Sequence, residues 1–307
     1  MAQGAGTATF GGIHAILYAF FDAEETLDRA AMRRQVELCI GSGVAGIVAL
    51  GLATEVAKLT LAERLQTMRW VAEDVAGRVP VGFTIFGTSV REQLEQVKFA
   101  EAQGADWVIL QPPVVGNFAA SEYIDFFSRV AKETSLPVAI QNAPAYLGRG
   151  LSGDDLRQLT QASPNIRVVK GESSAVDIAG LIATTRNELP ILNGRGGLEL
   201  LDNLRAGCAG FILAPDVIDY AVRAYSAFRA GDEAEAAAAY GQMLPAVVFV
   251  MQSIETLISH GKRLFAERAG LVVHDRAPAL RPTEFSRQLI RQYATALQPF
   301  GSSATNT

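Results

Sequence analysis

A lysine that closes a short apolar run is the residue in this chain best suited to covalent chemistry. Lys170 follows Ile166-Arg167-Val168-Val169, a stretch that reads as a buried strand, and Glu172 stands two residues further on. Side chains alternate between the two faces of a strand, so Lys170 falls on the face of Ile166 and Val168, with Arg167 and Val169 on the other. Glu172 shares that face if the backbone stays extended through Gly171. A lysine held away from water has a share of neutral amine, and a neutral amine adds to a carbonyl carbon. A carboxylate beside it can take a proton from the carbon next to that carbonyl. The plain alternative is a lysine at a strand end that pairs with Glu172 and does no chemistry.

Three other segments place polar groups after apolar runs. In Gly51-Leu52-Ala53-Thr54-Glu55 the loop N–H groups and the Thr54 hydroxyl suit a small carboxylate. The same loop reads equally as a helix entrance, capped by Thr54 or Thr60. Gln141-Asn142-Ala143-Pro144 ends another run, and Asn193-Gly194-Arg195-Gly196-Gly197 is a Gly-rich turn around one arginine. Such a turn can receive phosphate or carboxylate, and a solvated arginine is the other reading. His14, His260 and His274 are too far apart to form a metal-type spacing, so no metal is expected. Cys39 and Cys208 give no disulfide framework and are read as core thiols.

The elements that must carry these segments alternate. Strand-like runs at His14–Phe20, Gly46–Leu50, Val81–Phe86, Trp107–Leu110, Val138–Asn142, Ile166–Lys170, Ile191–Asn193 and Gly210–Leu213 are separated by helical patterns. About eight strand–helix units predict an α/β fold, a (β/α)₈ TIM barrel with a small C-terminal helical extension. An open doubly wound sheet would show fewer units and a Gly-rich first turn. In such a barrel, strand ends and the loops after them form the functional face, where the four segments lie. From about Asp216 the pattern turns helical, with stretches at Asp232–Tyr240, Ala246–Ser259, Lys262–Ala269 and Glu284–Leu297. The expected division is an extended or disordered start (1–11), the barrel (12–230), a C-terminal helical region (231–300) and a frayed tail (301–307).

Composition narrows the function classes. A 307-residue chain that is 49% hydrophobic suits a compact enzyme and not a disordered scaffold. A net charge of −5, without a basic stripe, disfavours nucleic acid as partner. No apolar run approaches the roughly 18 residues of a spanning helix, and the first ten residues lack the signature of a signal peptide. The expectation is a cytoplasmic protein with no membrane partner.

Taken together, the four segments resemble the dihydrodipicolinate synthase / N-acetylneuraminate lyase superfamily, over about Gly12 to Leu297. Gly51-Leu52-Ala53-Thr54-Glu55 is similar to that family's Gly-x-x-Gly-Glu loop, and Gln141-Asn142-Ala143-Pro144 to its Tyr-Asn-x-Pro. Lys170 matches its lysine, and Gly194 matches its strand-seven glycine. The resemblance implies a Schiff-base barrel, usually a homotetramer (a dimer of dimers), acting on pyruvate or a related 2-oxo acid without a cofactor. The departures are informative. Leu52 and Ala53 replace paired hydroxyl residues, Gln141 replaces a proton-relaying tyrosine, and Tyr146 stands where the synthases carry an arginine. Gln-Asn-Ala-Pro with Lys170-Gly171-Glu172 looks closer to the 2-keto-3-deoxy sugar acid dehydratases, especially those acting on L-arabonate derivatives.

The expected roles follow from that resemblance and from the residues. Lys170 forms the Schiff base, Glu172 removes the C3 proton, and Gln141 or Thr54 supports departure of the C4 hydroxyl. Thr54, Ala53, Glu55, Asn142 and Gly194 are expected around the substrate, its carboxylate near Thr54, with Arg195 and Tyr146 at its distal end. Leu52, Ala53, Pro113, Val114 and Val115 give a less polar mouth than the synthases have, compatible with an aromatic or alkyl substrate. The rivals are a pyruvate-dependent aldolase or a 4-hydroxy-tetrahydrodipicolinate synthase-like condensing enzyme. Outside that class stand a catalytically inactive metabolite-binding barrel and, on the Gly-rich turn alone, a sugar-phosphate isomerase.

Overall fold

Eight short apolar runs become eight parallel strands: β1 (Gly12–Ile16), β2 (Gly46–Ala49), β3 (Val81–Ile85), β4 (Trp107–Leu110), β5 (Val138–Asn142), β6 (Ile166–Gly171), β7 (Ile191–Asn193) and β8 (Gly210–Leu213). In the computed structural model, which describes residues 10–301, each strand pairs with the next and β8 returns to β1. The chain is therefore a closed (β/α)₈ barrel with further helices at its C-terminal end. Most of the expected N-terminal segment (1–11) and frayed tail (301–307) lies outside the described residues.

Closure depends on two facing glycines. Gly12 of β1 and Gly210 of β8 are register partners, and a Cβ on Gly210 would lie 2.2 Å from the Gly12 carbonyl oxygen. Tyr225, on the helix Ile218–Arg229, bridges the same seam. Its hydroxyl accepts from Gly12 N–H at 3.0 Å and donates to the Ala209 carbonyl at 3.2 Å. The N-terminal mouth is filled by Trp107, which meets Phe10 and His14 edge-on at 5.5 and 5.7 Å between ring centres.

Two strands depart from the simple pattern. The first apolar run was expected to be extended as far as Phe20, but β1 ends at Ile16. Beyond it the buried backbone is satisfied by a side chain instead of a ladder: Gln35 accepts from Tyr18 N–H at 2.8 Å and donates to the Tyr18 carbonyl at 3.0 Å. In β6, Ile166 pairs with Val138 but Val168 pairs with Ala139, so Arg167 is an extra residue at a bulge. The expected sharing of one face by Ile166, Val168 and Lys170 therefore holds by alternation only from Val168 onward. Arg167 is exposed while Val168, Val169 and Lys170 are buried.

The C-terminal helices differ in their breaks. The helix Glu233–Val250 continues through Pro245, where two separate pieces were expected. The break comes after Val250, where Ser253 starts a new turn with a capping box to Thr256. Arg268, on the helix Lys262–Ala269, fastens this region to the barrel. It pairs with Asp219, at 2.5 and 3.0 Å, and donates to the carbonyls of Asp216 (2.8 Å) and Gln298 (2.7 Å). No single helix among the described residues is long and apolar enough to cross a membrane.

Candidate active site

Lys170 lies at the C-terminal end of β6, beside Gln141 of β5 in the ladder. It is buried, and its ammonium donates to Glu172 Oε1. Gln141 Nε2 approaches the same carboxylate oxygen at 3.5 Å. Glu172 Oε2 and Gln141 Oε1 are buried with no hydrogen-bond partner among the described residues. Buried polar atoms are nearly always paired, so two orphaned oxygens beside one buried lysine mark a place that receives a polar guest.

Glycine makes this arrangement possible. A Cβ on Gly194 would come within 2.9 Å of Glu172 Cγ, so the turn after β7 must lack a side chain for Glu172 to pack against it. Asn193 ties the ends of β6 and β7 together by accepting from Ser173 N–H at 3.3 Å and donating to the Ser173 carbonyl at 3.0 Å. Asn203 accepts from the same Asn193 amide at 2.9 Å, which fixes its orientation.

A small cavity opens over this group. Lys170, Glu172, Tyr146 and Arg195 supply its polar side chains, and Ala53, Gly194 and Gly196 also line it. Arg195 pairs with Glu199 at 3.2 Å. Burial raises the Tyr146 phenol above its ordinary value, with Arg195 acting in the opposite direction, so it is a hydroxyl donor at neutral pH. Of the expected site residues, Lys170, Glu172, Ala53, Tyr146, Gly194 and Arg195 thus meet in one cavity, and Gln141 touches it through Glu172.

Three expected substrate-binding side chains are engaged elsewhere. The Thr54 hydroxyl donates to the Leu17 carbonyl at 2.6 Å and is fully buried, so it has no proton left for a carboxylate. Glu55 pairs with Lys58 at 2.6 Å and with the buried Lys262. It thereby joins the loop after β2 to the C-terminal helices. Asn142 accepts from Leu151 N–H at 2.8 Å and donates to the Leu151 carbonyl at 3.0 Å, closing the loop after β5. The helix entrance after β2 is capped by Thr60, which forms a capping box with Glu63.

Sequence reasoning missed the far wall. Ile16 and Ile212 project into the cavity from the ends of β1 and β8, and Met251, Ile254 and Leu257 reach it from the C-terminal region. Met251, Ile254 and Leu257 recur at a spacing of three, a stripe visible in the sequence, but nothing local says where that stripe docks. Pro113 and Val115, expected at the mouth, instead line a separate groove with Phe118 and Tyr123.

The family model for the dihydrodipicolinate synthetase family matches residues 9–297. The chain belongs to that family. Its members are lyases and synthases, so the chain is an enzyme of the lyase type. It is 28% identical to the protein named "Probable 2-dehydro-3-deoxy-D-pentonate aldolase YjhH" of Escherichia coli K12, over 82% of this chain and 86% of that one. It is 30% identical to a 4-hydroxy-tetrahydrodipicolinate synthase of Methanoculleus marisnigri, over 76% of this chain and 81% of that one. Among solved structures it resembles the E. coli K12 family member YagE, crystallised in complex with pyruvate. The TM-score is 0.87 at 25% identity, over 94% of this chain and 98% of that one.

Proposed function

We propose that this family member is a Schiff-base-forming hydro-lyase. Its substrate is a 2-oxo acid with hydrogens at C3 and a hydroxyl at C4, the pattern of the 2-keto-3-deoxy sugar acids and related compounds. The observation that carries the reading is the buried Lys170–Glu172 pair facing a cavity, with Gln141 at the neighbouring strand position.

Glu172 takes a proton from the Lys170 ammonium, and the free amine adds to the C2 carbonyl. Glu172 returns that proton to the oxygen, which leaves as water, and the resulting protonated imine draws electrons from C3. Glu172 then removes the C3 proton, the C4–O bond breaks, and the hydroxyl leaves as water with that proton, relayed from Glu172 through a water held by Gln141. Glutamine is neither an acid nor a base at neutral pH, but its free Oε1 can orient a water. A second water hydrolyses the imine, frees the unsaturated 2-oxo acid and restores Lys170. This route uses no metal and no organic cofactor.

Borohydride reduction in the presence of a panel of 2-oxo acids tests the reading. The expected result is a mass increase on Lys170 equal to the reduced substrate adduct. No adduct with any member of the panel would sink it, and ligand binding without trapping or turnover would point to a metabolite-binding barrel. The relatives' names support a second reading, an aldolase or condensing enzyme that exchanges pyruvate with an aldehyde. Release of pyruvate in place of a dehydrated oxo acid distinguishes it. The proposal extends to a homotetramer in the cytoplasm, tested by light scattering after size-exclusion chromatography and by cell fractionation.

A further inference from the structure

We propose, resting on the Schiff-base reading above, that the substituent beyond C4 of the substrate is an alkyl or aryl group and not a polyhydroxylated chain. The cavity is divided by chemistry. Its polar side chains come from the β5–β7 side: Tyr146 after β5, Lys170 and Glu172 at β6, and Arg195 after β7. Opposite them, Ile16, Leu52, Ile212, Met251, Ile254 and Leu257 form an apolar wall from β1, the loop after β2, β8 and the C-terminal region.

The four polar side chains match the demands of the reacting part of the substrate. That part has a carboxylate at C1, a carbonyl at C2 and a hydroxyl at C4. Hydroxyls at C5 and beyond would meet the apolar wall with no side chain to pair with. An unpaired hydroxyl there loses its hydrogen bonds to water, whereas an alkyl or aryl group loses only its exposure. The Thr54 hydroxyl, which could have softened the wall, is turned away to Leu17. Gly196 keeps the wall close, because a Cβ there would lie 2.4 Å from Met251 Cγ. The C-terminal helices therefore act as specificity elements as well as covering the barrel.

The test compares kcat/KM of the full chain for two kinds of 4-hydroxy-2-oxo acid. One kind carries an ethyl or phenyl group at C4, and the other is a 2-keto-3-deoxy pentonate. Both the unsaturated oxo acid and pyruvate are counted as product, so the result does not depend on whether elimination or aldol cleavage occurs. The expected preference for the apolar substituent is about 10- to 100-fold, the scale on which apolar pockets discriminate. Ile254→Asn combined with Leu52→Thr should reduce that ratio by about tenfold, while pyruvate remains trapped on Lys170. The ratio is independent of how much of the variant is folded. An equal or opposite preference in the unaltered chain, or a ratio unmoved in the variant, overturns the assignment. If Lys170 is still trapped in those cases, the Schiff base stands. Absence of any adduct on Lys170 overturns both.

Discussion

Lys170 and Glu172 form a buried ion pair across a single glycine, with the ammonium on Oε1 and the other carboxylate oxygen without a partner among the described residues. The pair can exchange a proton internally, and Oε2 is left able to accept a hydrogen bond. Lys170→Ala should abolish borohydride trapping and reduce turnover on the order of a thousandfold or more. Glu172→Gln should still form the adduct, though more slowly, and lower kcat by about 10²- to 10⁴-fold, the usual share of a general base. Mass spectrometry of the reduced protein with steady-state kinetics separates the two steps. An adduct that persists in Lys170→Ala would move the nucleophile to another residue.

Glu55 and Lys262, 207 positions apart, pair inside the protein. Burial lowers the Lys262 pKa and Glu55 opposes that shift. Removing the lysine leaves Glu55 buried, with Lys58 as its remaining partner at 2.6 Å. Lys262→Met should therefore destabilise the fold by about 3 kcal/mol, the lower end for breaking a buried pair. Glu55→Gln added to it should recover part of the loss. Thermal unfolding of the two variants checks this, and an unchanged Tm in Lys262→Met would contradict it.

Asp216 is buried beneath Tyr18, whose hydroxyl donates to it at 2.9 Å, and burial raises its pKa from 3.8 to about 6. Between those values the folded protein holds a proton that the unfolded chain has lost. The stabilisation from that proton is complete below 3.8 and is lost as pH rises through about 6. His14 has the opposite sign: burial lowers its pKa from 6.5 to about 4, so its contribution is lost as pH falls through that window. Asp216→Asn removes the first slope and leaves the second. The variant should gain stability relative to the parent as pH rises from 4 to 7, read as the difference in Tm at each pH. A pH-independent difference would remove Asp216 as the source.

The seam between β1 and β8 offers a steric test. Alanine at Gly210 would place its methyl group 2.2 Å from the Gly12 carbonyl oxygen, a backbone atom that cannot turn aside. Gly210→Ala should cost about 3 kcal/mol or more, at the upper end for overpacking. Gly180→Ala is the control, because a Cβ there meets nothing within 4 Å. Denaturant melts of the two should differ clearly, and equal midpoints would show that the seam yields.

Much of the fold is legible in local pattern. β4, β5, β7 and β8 have the expected bounds because each is a short apolar run flanked by turn residues. β1 is shorter than its apolar run, because Gln35 supplies hydrogen bonds that a ladder would otherwise provide. The stretches expected at Asp232–Tyr240 and Ala246–Ser259 depart in the other direction, since one helix runs through Pro245, tolerating one missing N–H, and ends before the Ser253 cap.

For the site, the sequence by itself determined the chemistry available: a lysine at a buried strand end, a carboxylate two residues on, and a glutamine ending the preceding strand. Those relations depend on alternation and on adjacent parallel strands, which are short-range properties. Only the tertiary structure decided which neighbours join them. Thr54 is turned to Leu17, Glu55 is drawn to Lys262, and Met251, Ile254 and Leu257 close the cavity from outside the barrel. These contacts link residues distant in the chain, and their partners are selected by how whole elements pack, which no local spacing encodes. The burial of Lys170 at a strand end was thus legible in its own segment, whereas the apolar wall opposite it was set largely by the C-terminal helices.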